Sequence, residues 1–293
     1  MDRIAFSIGK INIYWYAIMI CIGMMLAIFL GCREAKRHKL NMDFFINMVF
    51  YMILFGIIGT RLYYVLFNLD HYLQNPIDIF KVWNGGLAIH GGIISGILVI
   101  IIYTRKYKVN TVKILDISAV SVIIAQAIGR WGNFFNQEAF GSAISRGFLE
   151  SLHLPKFIID GMYINGSYYH PTFLYESIWN LIGFMIMLFL RRRKYAKVGE
   201  MSGFYLIWYS SARFFIEGLR MDSLMLGPFR IAQIVSIIGI IAGIIFIVKA
   251  KKGSKFDNLY NKEEKDETRF WCCNNRRRSF WYDFCNLFKK GRD

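Results

Sequence analysis

The chain of 293 residues is 55% hydrophobic and 17% aromatic, only 19% of its residues are charged, and its formal net charge is +16. A soluble globular surface needs more polar cover than this, so the composition excludes an ordinary soluble domain. The excess of lysine and arginine is typical of cytoplasmic loops beside anionic lipid, and no nucleic acid is expected as a partner. The five cysteines do not have the spacing of a disulfide framework.

Seven apolar segments are predicted to cross the membrane as helices. They cover residues 11–32, 44–67, 82–104, 114–135, 172–190, 201–219 and 231–248. Charges interrupt the fourth and the sixth segments, whose uncharged runs alone would also suit a re-entrant or core helix. Lysine and arginine concentrate after the first, third, fifth and seventh segments. The positive-inside rule therefore predicts an all-α polytopic membrane protein with seven spans, its N-terminus outside and its C-terminus in the cytoplasm.

Two regions are predicted along the chain. Residues 1–252 are expected to form one transmembrane domain that carries the functional residues, including an extracytoplasmic loop over residues 136–171. Residues 253–293 are expected to be a cytoplasmic tail that is variable or disordered. This tail mixes basic and aromatic residues, so the alternative is a segment that lies on the inner membrane surface.

Polar and ionisable side chains fall in the same half of several predicted spans, toward the outer face of the membrane. Such groups are expensive in hydrocarbon, and chance would have scattered them between the two leaflets. Arg213 and Glu217 lie at i and i+4, so they share one helix face with Tyr209. The pattern predicts a polar chamber open to the outer leaflet. Its candidate residues are Tyr14, Tyr16, Arg61, Tyr64, His90, Arg130, Asn133, Asn136, Glu138, His170, Tyr175, Glu176, Tyr209, Arg213, Glu217 and Arg220.

Arginines in such a chamber favour an anion, and the abundant anion of a leaflet is a phospholipid headgroup. Guanidinium suits this ligand because it stays charged and donates forked hydrogen bonds to phosphate oxygens. One alternative stays open, in which Arg130 pairs with Glu138, and Arg213 with Glu217, as buried structural ion pairs. Another is that His90 is a hydrogen-bonded core histidine. No metal-ligand spacing and no nucleotide motif occur, so no metal or cofactor is expected.

The polar end of the fourth span, residues 129–141, has the sequence Gly-Arg-Trp-Gly-Asn-Phe-Phe-Asn-Gln-Glu-Ala-Phe-Gly. It resembles the long and specific signature of the prolipoprotein diacylglyceryl transferase family. Shorter motifs on other spans extend the resemblance over roughly residues 5–248. They are Tyr14-Trp15-Tyr16, Gly59-x-Arg61 with Tyr64-Val65-Leu66-Phe67, Trp83-Asn84-Gly85-Gly86 before His90-Gly91-Gly92, His170-Pro171-Thr172 with Tyr175-Glu176, Tyr209 with Arg213, Glu217 and Arg220, and Gln233-x-x-Ser236.

The resemblance implies an enzyme that transfers the diacylglyceryl group of phosphatidylglycerol to the thiol of the lipobox cysteine of prolipoproteins. The products are a thioether and glycerol phosphate. The enzyme would be a multi-pass protein of the bacterial cytoplasmic (inner) membrane, with its active site facing the outer leaflet.

The resemblance also implies roles for individual residues. His90 is the candidate base, and Arg130 with Arg213 would stabilise the growing phosphate charge. The alternatives for positioning or proton relay are Tyr16, Tyr209 and Glu138. The residues expected to bind substrate are Arg61, Arg130, Asn133, Asn136, Gly141, Tyr209, Arg213, Glu217 and Arg220.

Two rival functions fit a polar chamber in one leaflet. A different lipid-headgroup enzyme would use the same phosphate site, and a transporter or flippase would move anionic lipid. Alternating access is disfavoured because no internal repeat is visible and the polar residues do not lie at the midplane.

Overall fold

The computed structural model describes residues 3–9, 11–81, 85–220, 225–252 and 259–261. Its long helices coincide with the seven predicted spans. They are α1 (Trp15–Arg37), α2 (Met42–Leu66), α4 (Ile89–Lys106), α5 (Thr111–Asn136), α8 (Thr172–Leu190), α9 (Glu200–Leu219) and α10 (Ile231–Lys251). Six of them, all except α9, are long and apolar enough to cross a membrane by length and composition. The predicted all-α polytopic class is confirmed, while the orientation of the termini stays a prediction.

Shorter elements precede α1 or connect the long helices. They are β1 (Ile4–Ile8), β2 (Ile11–Tyr14), α3 (Leu69–Gln74), a 3-10 helix (Pro76–Phe80), β3 (Ala143–Ile144), α6 (Arg146–Ser151), α7 (Lys156–Gly161), β4 (Tyr163–Ile164), β5 (Ser167–Tyr169), β6 (Met225–Leu226) and β7 (Phe229–Arg230). The strands form antiparallel sheets with the orders β1-β2, β3-β5-β4 and β6-β7.

The starts of two spans and the content of one loop differ from the sequence prediction. The first span begins at Trp15 rather than at residue 11, because residues 11–14 pair with β1 across a turn at Gly9, whose φ is +61°. The third begins at Ile89 rather than at residue 82, after positive φ angles at Gly85 and Gly86. Residues 82–84 lie outside the described residues. The expected loop at 136–171 contains three strands and two short helices.

The chain divides into two compact units. The first unit comprises Met1–Gly31 with Asp116–Lys262, and the second comprises Cys32–Leu115 with Glu263–Asp293. In the first unit, α8 packs on α9 and α9 packs on α10. In the second unit, α2 packs on α4, and the Phe44 ring lies 5.2 Å from that of Tyr103.

Two apolar clusters form the core of the first unit. One joins α5, α8 and α9, and the other underlies the folded segment between α5 and α8. Their buried members are Ala119, Val120, Ile123, Met187 and Met201 in the first cluster, and Phe134, Leu149, Ile158, Ile159, Met162 and Phe173 in the second. Helices α9 and α10 approach closely at Gly203 and Gly243, where a Cβ on either residue would come within 2.8 Å of the other's carbonyl oxygen.

The last described residues after α10 return to the connection between α8 and α9. Tyr260 is fully buried, and its N–H donates to the carbonyl of Ala196 at 2.7 Å. The Asn261 amide donates to the carbonyls of Arg191 at 3.2 Å and Arg193 at 3.0 Å. Carbonyl groups at the end of α8 are thereby satisfied by residues that follow the last span.

Helix α9 receives its N-terminal cap from another helix. Its own N-cap residue is Gly199, which has a φ of +101° and no side chain to accept a hydrogen bond. The carboxylate of Asp116 on α5 takes this place. It accepts from the N–H of Gly199 at 2.6 Å, and from the N–H and hydroxyl of Ser202 at 2.8 and 2.6 Å. A carboxylate here also complements the helix dipole.

We expect Asp116→Ala to lower the free energy of unfolding by about 2–4 kcal/mol, because it leaves buried donors of the first turn without an acceptor. Ser202→Ala removes one donor to the same carboxylate and should cost about 1 kcal/mol. Both values are measurable by denaturant titration in mixed micelles. Equal stability of the two variants would contradict the assigned cap.

Candidate active site

A buried carboxylate on α8 holds arginines from two neighbouring helices. Glu176 accepts an ion pair from Arg130 Nε on α5, and its other oxygen lies 3.5 Å from Arg213 Nη1 on α9. The Glu176 side chain is only 5% exposed, whereas the two arginines keep 19% and 22% of their side-chain surface. One carboxylate therefore joins α5, α8 and α9 at the point where the sequence predicts the chamber.

Glu217 extends this cluster along α9. Its carboxylate pairs with Arg213 Nη2 at 2.7 Å, one turn earlier on the same helix, and its side chain is 3% exposed. The carbonyl of Glu217 accepts a hydrogen bond from Arg230, which precedes α10. The structure thus contains the Arg213–Glu217 ion pair that the spacing allowed. Arg130 forms its ion pair with Glu176 instead of Glu138.

Glu138 has a different partner, within the motif itself. The amide of Asn133 donates to its carboxylate at 3.1 Å, and the N–H of Glu138 donates to the carbonyl of Asn133 at 3.1 Å. Helix α5 ends at Asn136, and Gln137 and Ala139 take positive φ angles of 52° and 57°. The chain reverses here, which returns Glu138 to the last turn of α5.

Gly141 marks a junction of three chain segments. A Cβ there would lie 2.7 Å from the Cβ of His170 and 3.2 Å from the carbonyl oxygen of Leu219 and from Thr172 Cγ2. The Gly141 N–H donates to the His170 carbonyl at 3.1 Å, and Gly141 also pairs with Arg220. The glycine is required by close packing, because no larger residue fits between these segments.

The tyrosines and His170 lie around this cluster. Tyr16 packs against α5, where a Cβ on Gly132 would come within 2.7 Å of the Tyr16 ring. Tyr209 is half-buried and stacks on Tyr205 at 5.9 Å between ring centroids. Burial lowers the pKa of His170, and its Nδ1 hydrogen-bonds the Tyr175 hydroxyl at 3.2 Å.

Ten of the residues expected to act in the site belong to the first unit. They are Tyr16, Arg130, Asn133, Asn136, Glu138, Gly141, Tyr209, Arg213, Glu217 and Arg220. His90 and Arg61 belong to the second unit, where His90 is exposed as the second residue of α4. The meeting of His90 with the arginines stays a prediction.

The Arg61 guanidinium is occupied by main-chain carbonyls. Its Nε donates to Ile79 at 2.9 Å, and its Nη1 donates to Gly85 at 2.7 Å and Gly86 at 3.0 Å. The Nη2 group donates to Asp78 and, at 3.4 Å, to Lys81. An arginine side chain has five N–H donors, and each has a carbonyl here. Arg61 thus has a structural role in this loop, and its assignment to substrate binding stays a prediction.

Two residues of the cluster were not assigned a role from the sequence. Glu176 is an ionisable residue at the start of a predicted span and within a family motif. These two features placed it among the candidate residues of the chamber, without indicating its function. Its pairing with two other helices had no signal in local spacing. Arg230 lies outside the predicted chamber motifs and had none.

The fold and the site define a class: a multi-pass helical membrane protein that buries a cluster of paired arginines and glutamates. The family model of prolipoprotein diacylglyceryl transferase matches residues 3–249. The chain is also 48% identical over 262 residues to a phosphatidylglycerol–prolipoprotein diacylglyceryl transferase of Bacillus cereus strain G9842, a match that covers 89% of this chain and 97% of the relative. A relative of the same name from Bacillus cytotoxicus is 48% identical over 260 residues, covering 89% and 96%.

These matches extend over most of both chains. The chain therefore belongs to the prolipoprotein diacylglyceryl transferase family, and it is a transferase. The resemblance seen in residues 129–141 is confirmed.

We expect Gly141→Ala to destabilise the protein by about 1–3 kcal/mol, because the added methyl group must displace His170 or the end of α9. Gly218→Ala is the matched control on α9, since a Cβ there meets open space. A thermal melt in detergent compares the two. If both variants have the same melting temperature as the wild type, the junction at Gly141 is not closely packed.

Proposed function

We propose that the arginines held by Glu176 bind the phosphodiester of phosphatidylglycerol while its diacylglyceryl group moves to the lipobox cysteine of a prolipoprotein. As a member of its family, the chain catalyses diacylglyceryl transfer to prolipoproteins in lipoprotein maturation. The names of the relatives add phosphatidylglycerol as the lipid. We place this site in the outer leaflet of the bacterial cytoplasmic membrane, on the basis of the loop charges.

The observation that carries this proposal is the position at which Glu176 contacts the Arg130 guanidinium. The ion pair joins Glu176 to Nε of Arg130, and among the described residues neither terminal amino group of Arg130 has a hydrogen bond. Those two groups remain for phosphate oxygens, to which guanidinium donates in a forked geometry. Arg130 also keeps partial exposure, so a headgroup has access to it.

The electrostatics of the cluster suit a leaving phosphate. Arg130 and Arg213 pair with the carboxylates of Glu176 and Glu217, and Arg230, which donates to the main-chain carbonyl of Glu217, adds a third positive charge. When the carbon–oxygen bond of the glycerol breaks, the phosphate oxygen gains negative charge. Preformed donors in a site of low dielectric stabilise that charge without reorganisation, which typically changes rates by about 10²–10³ per donor.

The transfer step needs a thiolate. A free cysteine with a pKa of about 8.5 is mostly protonated at pH 7, so a base must accept the thiol proton. The sulfur then attacks the glycerol carbon that bears the phosphate, a carbon–sulfur bond forms, and glycerol phosphate leaves with the bonding electrons. His90 is our candidate base, with Tyr16, Tyr209 and Glu138 as alternatives for positioning or relay. Asn133, Asn136 and Gly141 would shape the same headgroup site.

The test of Arg130 is a transfer assay with purified protein, phosphatidylglycerol vesicles and a lipobox peptide, scored by the mass of the peptide. The wild type should add one diacylglyceryl group. Arg130→Lys keeps the charge but loses the fork, and we expect kcat/KM to fall about 100-fold.

Arg146→Lys is the matched control, because that exposed arginine pairs with Glu150 in the segment between α5 and α8. It should retain wild-type activity. Lipid movement across the vesicle without any gain in peptide mass would favour a flippase and reject the transferase. Full activity of Arg130→Lys would remove the forked contact from the mechanism.

The test of His90 is the pH profile of the same reaction. A base must be unprotonated to accept the thiol proton, so the wild-type rate should fall in acid. His90→Gln should lose about 10²–10⁴ in kcat together with that acidic limb. His71→Gln changes an exposed histidine of the same unit and serves as the control. An acidic limb that persists in His90→Gln would assign the base to another residue.

A further inference from the structure

The connection between α2 and α4 exposes an unusual set of large apolar side chains. We refer to residues 67–81, which contain α3 and the 3-10 helix, as the apolar arm. Phe67 is 72% exposed, Leu73 74%, Ile77 73% and Phe80 78%. So much exposed apolar surface in one short segment indicates an interaction site rather than a water-facing loop.

The backbone of the arm is held in place rather than loosely extended. All five donors of the Arg61 guanidinium end on carbonyls of residues 78–86. The guanidinium also lies 5.2 Å from the ring of Tyr72, the buried residue of α3. A Cβ on Gly86 would come within 2.7 Å of Arg61 Nη1. The arm therefore presents its apolar side chains from a built frame.

The position of the arm indicates lipid as its partner. It joins the end of α2 to the start of α4, two helices that are apolar enough to cross a membrane. Gly59 of α2 and Gly91 of α4 contact each other near these ends, so both spans reach the membrane boundary on the same side. The exposed Leu62 and Leu66 at the end of α2 continue directly into Phe67.

The charges of the arm are largely matched within it. Lys81 Nζ donates to Asp78 at 2.7 Å, and His71 Nε2 lies 3.7 Å from the other carboxylate oxygen of Asp78. Charge complementarity steers protein partners and fixes their register, and the arm offers little unpaired charge for it. Exposed apolar side chains next to the end of a span instead suit a segment that lies in the membrane interface.

We propose that the apolar arm is a lipid-binding surface that lies in the phospholipid interface, with Phe67, Leu73, Ile77 and Phe80 inserted among the acyl chains and headgroups. The arm, through the hydrogen bonds of Arg61, fixes how deep Gly85 and Gly86 lie in the membrane. These glycines lead into α4 and His90. Insertion of the arm stands independently of the proposed function, and only its relation to His90 rests on that function.

The primary test is photo-crosslinking of the full-length protein in phosphatidylglycerol–phosphatidylethanolamine vesicles. Phe80 or Leu73 is replaced by p-benzoylphenylalanine, and Asp70, an exposed polar residue of α3, is replaced in the same way as the control. We expect phospholipid adducts at positions 73 and 80, with a yield at least about fivefold above that at position 70. An adduct with a protein or with the lipobox peptide would overturn the proposal, as would equal lipid yields at all three positions.

A kinetic measurement links the arm to the reaction. Phe80→Glu adds a charge to the apolar side, and we expect it to raise KM for phosphatidylglycerol in vesicles about fivefold with kcat unchanged. Ser167→Glu adds the same charge to an exposed position of β5, outside the arm, and should leave both constants unchanged. Phe80→Leu should retain the wild-type KM. Equal constants for Phe80→Glu and Ser167→Glu would overturn a role in lipid access, whereas lipid crosslinks without any transferase activity would reject only the proposed function.

Discussion

The ion pairs of Glu176 are the interaction on which the site depends. Burying a carboxylate is costly, and the cost is recovered only when its oxygens are paired with good geometry. Here the partners come from α5 and α9, so the carboxylate also determines how these helices meet α8. Without it, two guanidinium groups would share an apolar surrounding and repel each other. The same contact thus stabilises the helix packing and, in the proposed mechanism, keeps Arg130 and Arg213 ready for an anion.

Several residues around the ion pairs of Glu176 hold the backbone in place rather than take part in the proposed reaction. Gly141 has no room for a side chain, and the hydroxyl of Thr172 donates to the carbonyl of Ala139 at 2.6 Å. Arg61 occupies all its donors on the arm and on the glycines before α4. A family motif therefore also contains residues that hold the loops from which the proposed substrate-binding residues project.

The spans were predictable from the sequence because hydrocarbon length and loop charge are properties of contiguous segments, and α8 begins and ends at the residues predicted for it. The clustering of polar residues at α5, α8 and α9 was predictable for the same reason. Pairing across helices was not, since Glu176 and Glu138 are equally plausible partners for Arg130 until the end of α5 is known. The β1–β2 hairpin was missed because the short uncharged run of Ile11, Asn12 and Ile13 continues directly into the apolar span, and such a run is too short to show a strand period.

The return of Tyr260 to the α8–α9 connection has a consequence for biosynthesis. A membrane protein is made from its N-terminus, and its helices enter the bilayer before the chain is complete. The carbonyls of Arg191, Arg193 and Ala196 therefore lack these hydrogen-bond donors until the residues after α10 have left the ribosome. Closure of the first unit is then a late event, which leaves α8, α9 and α10 free to adjust their packing until translation is nearly finished.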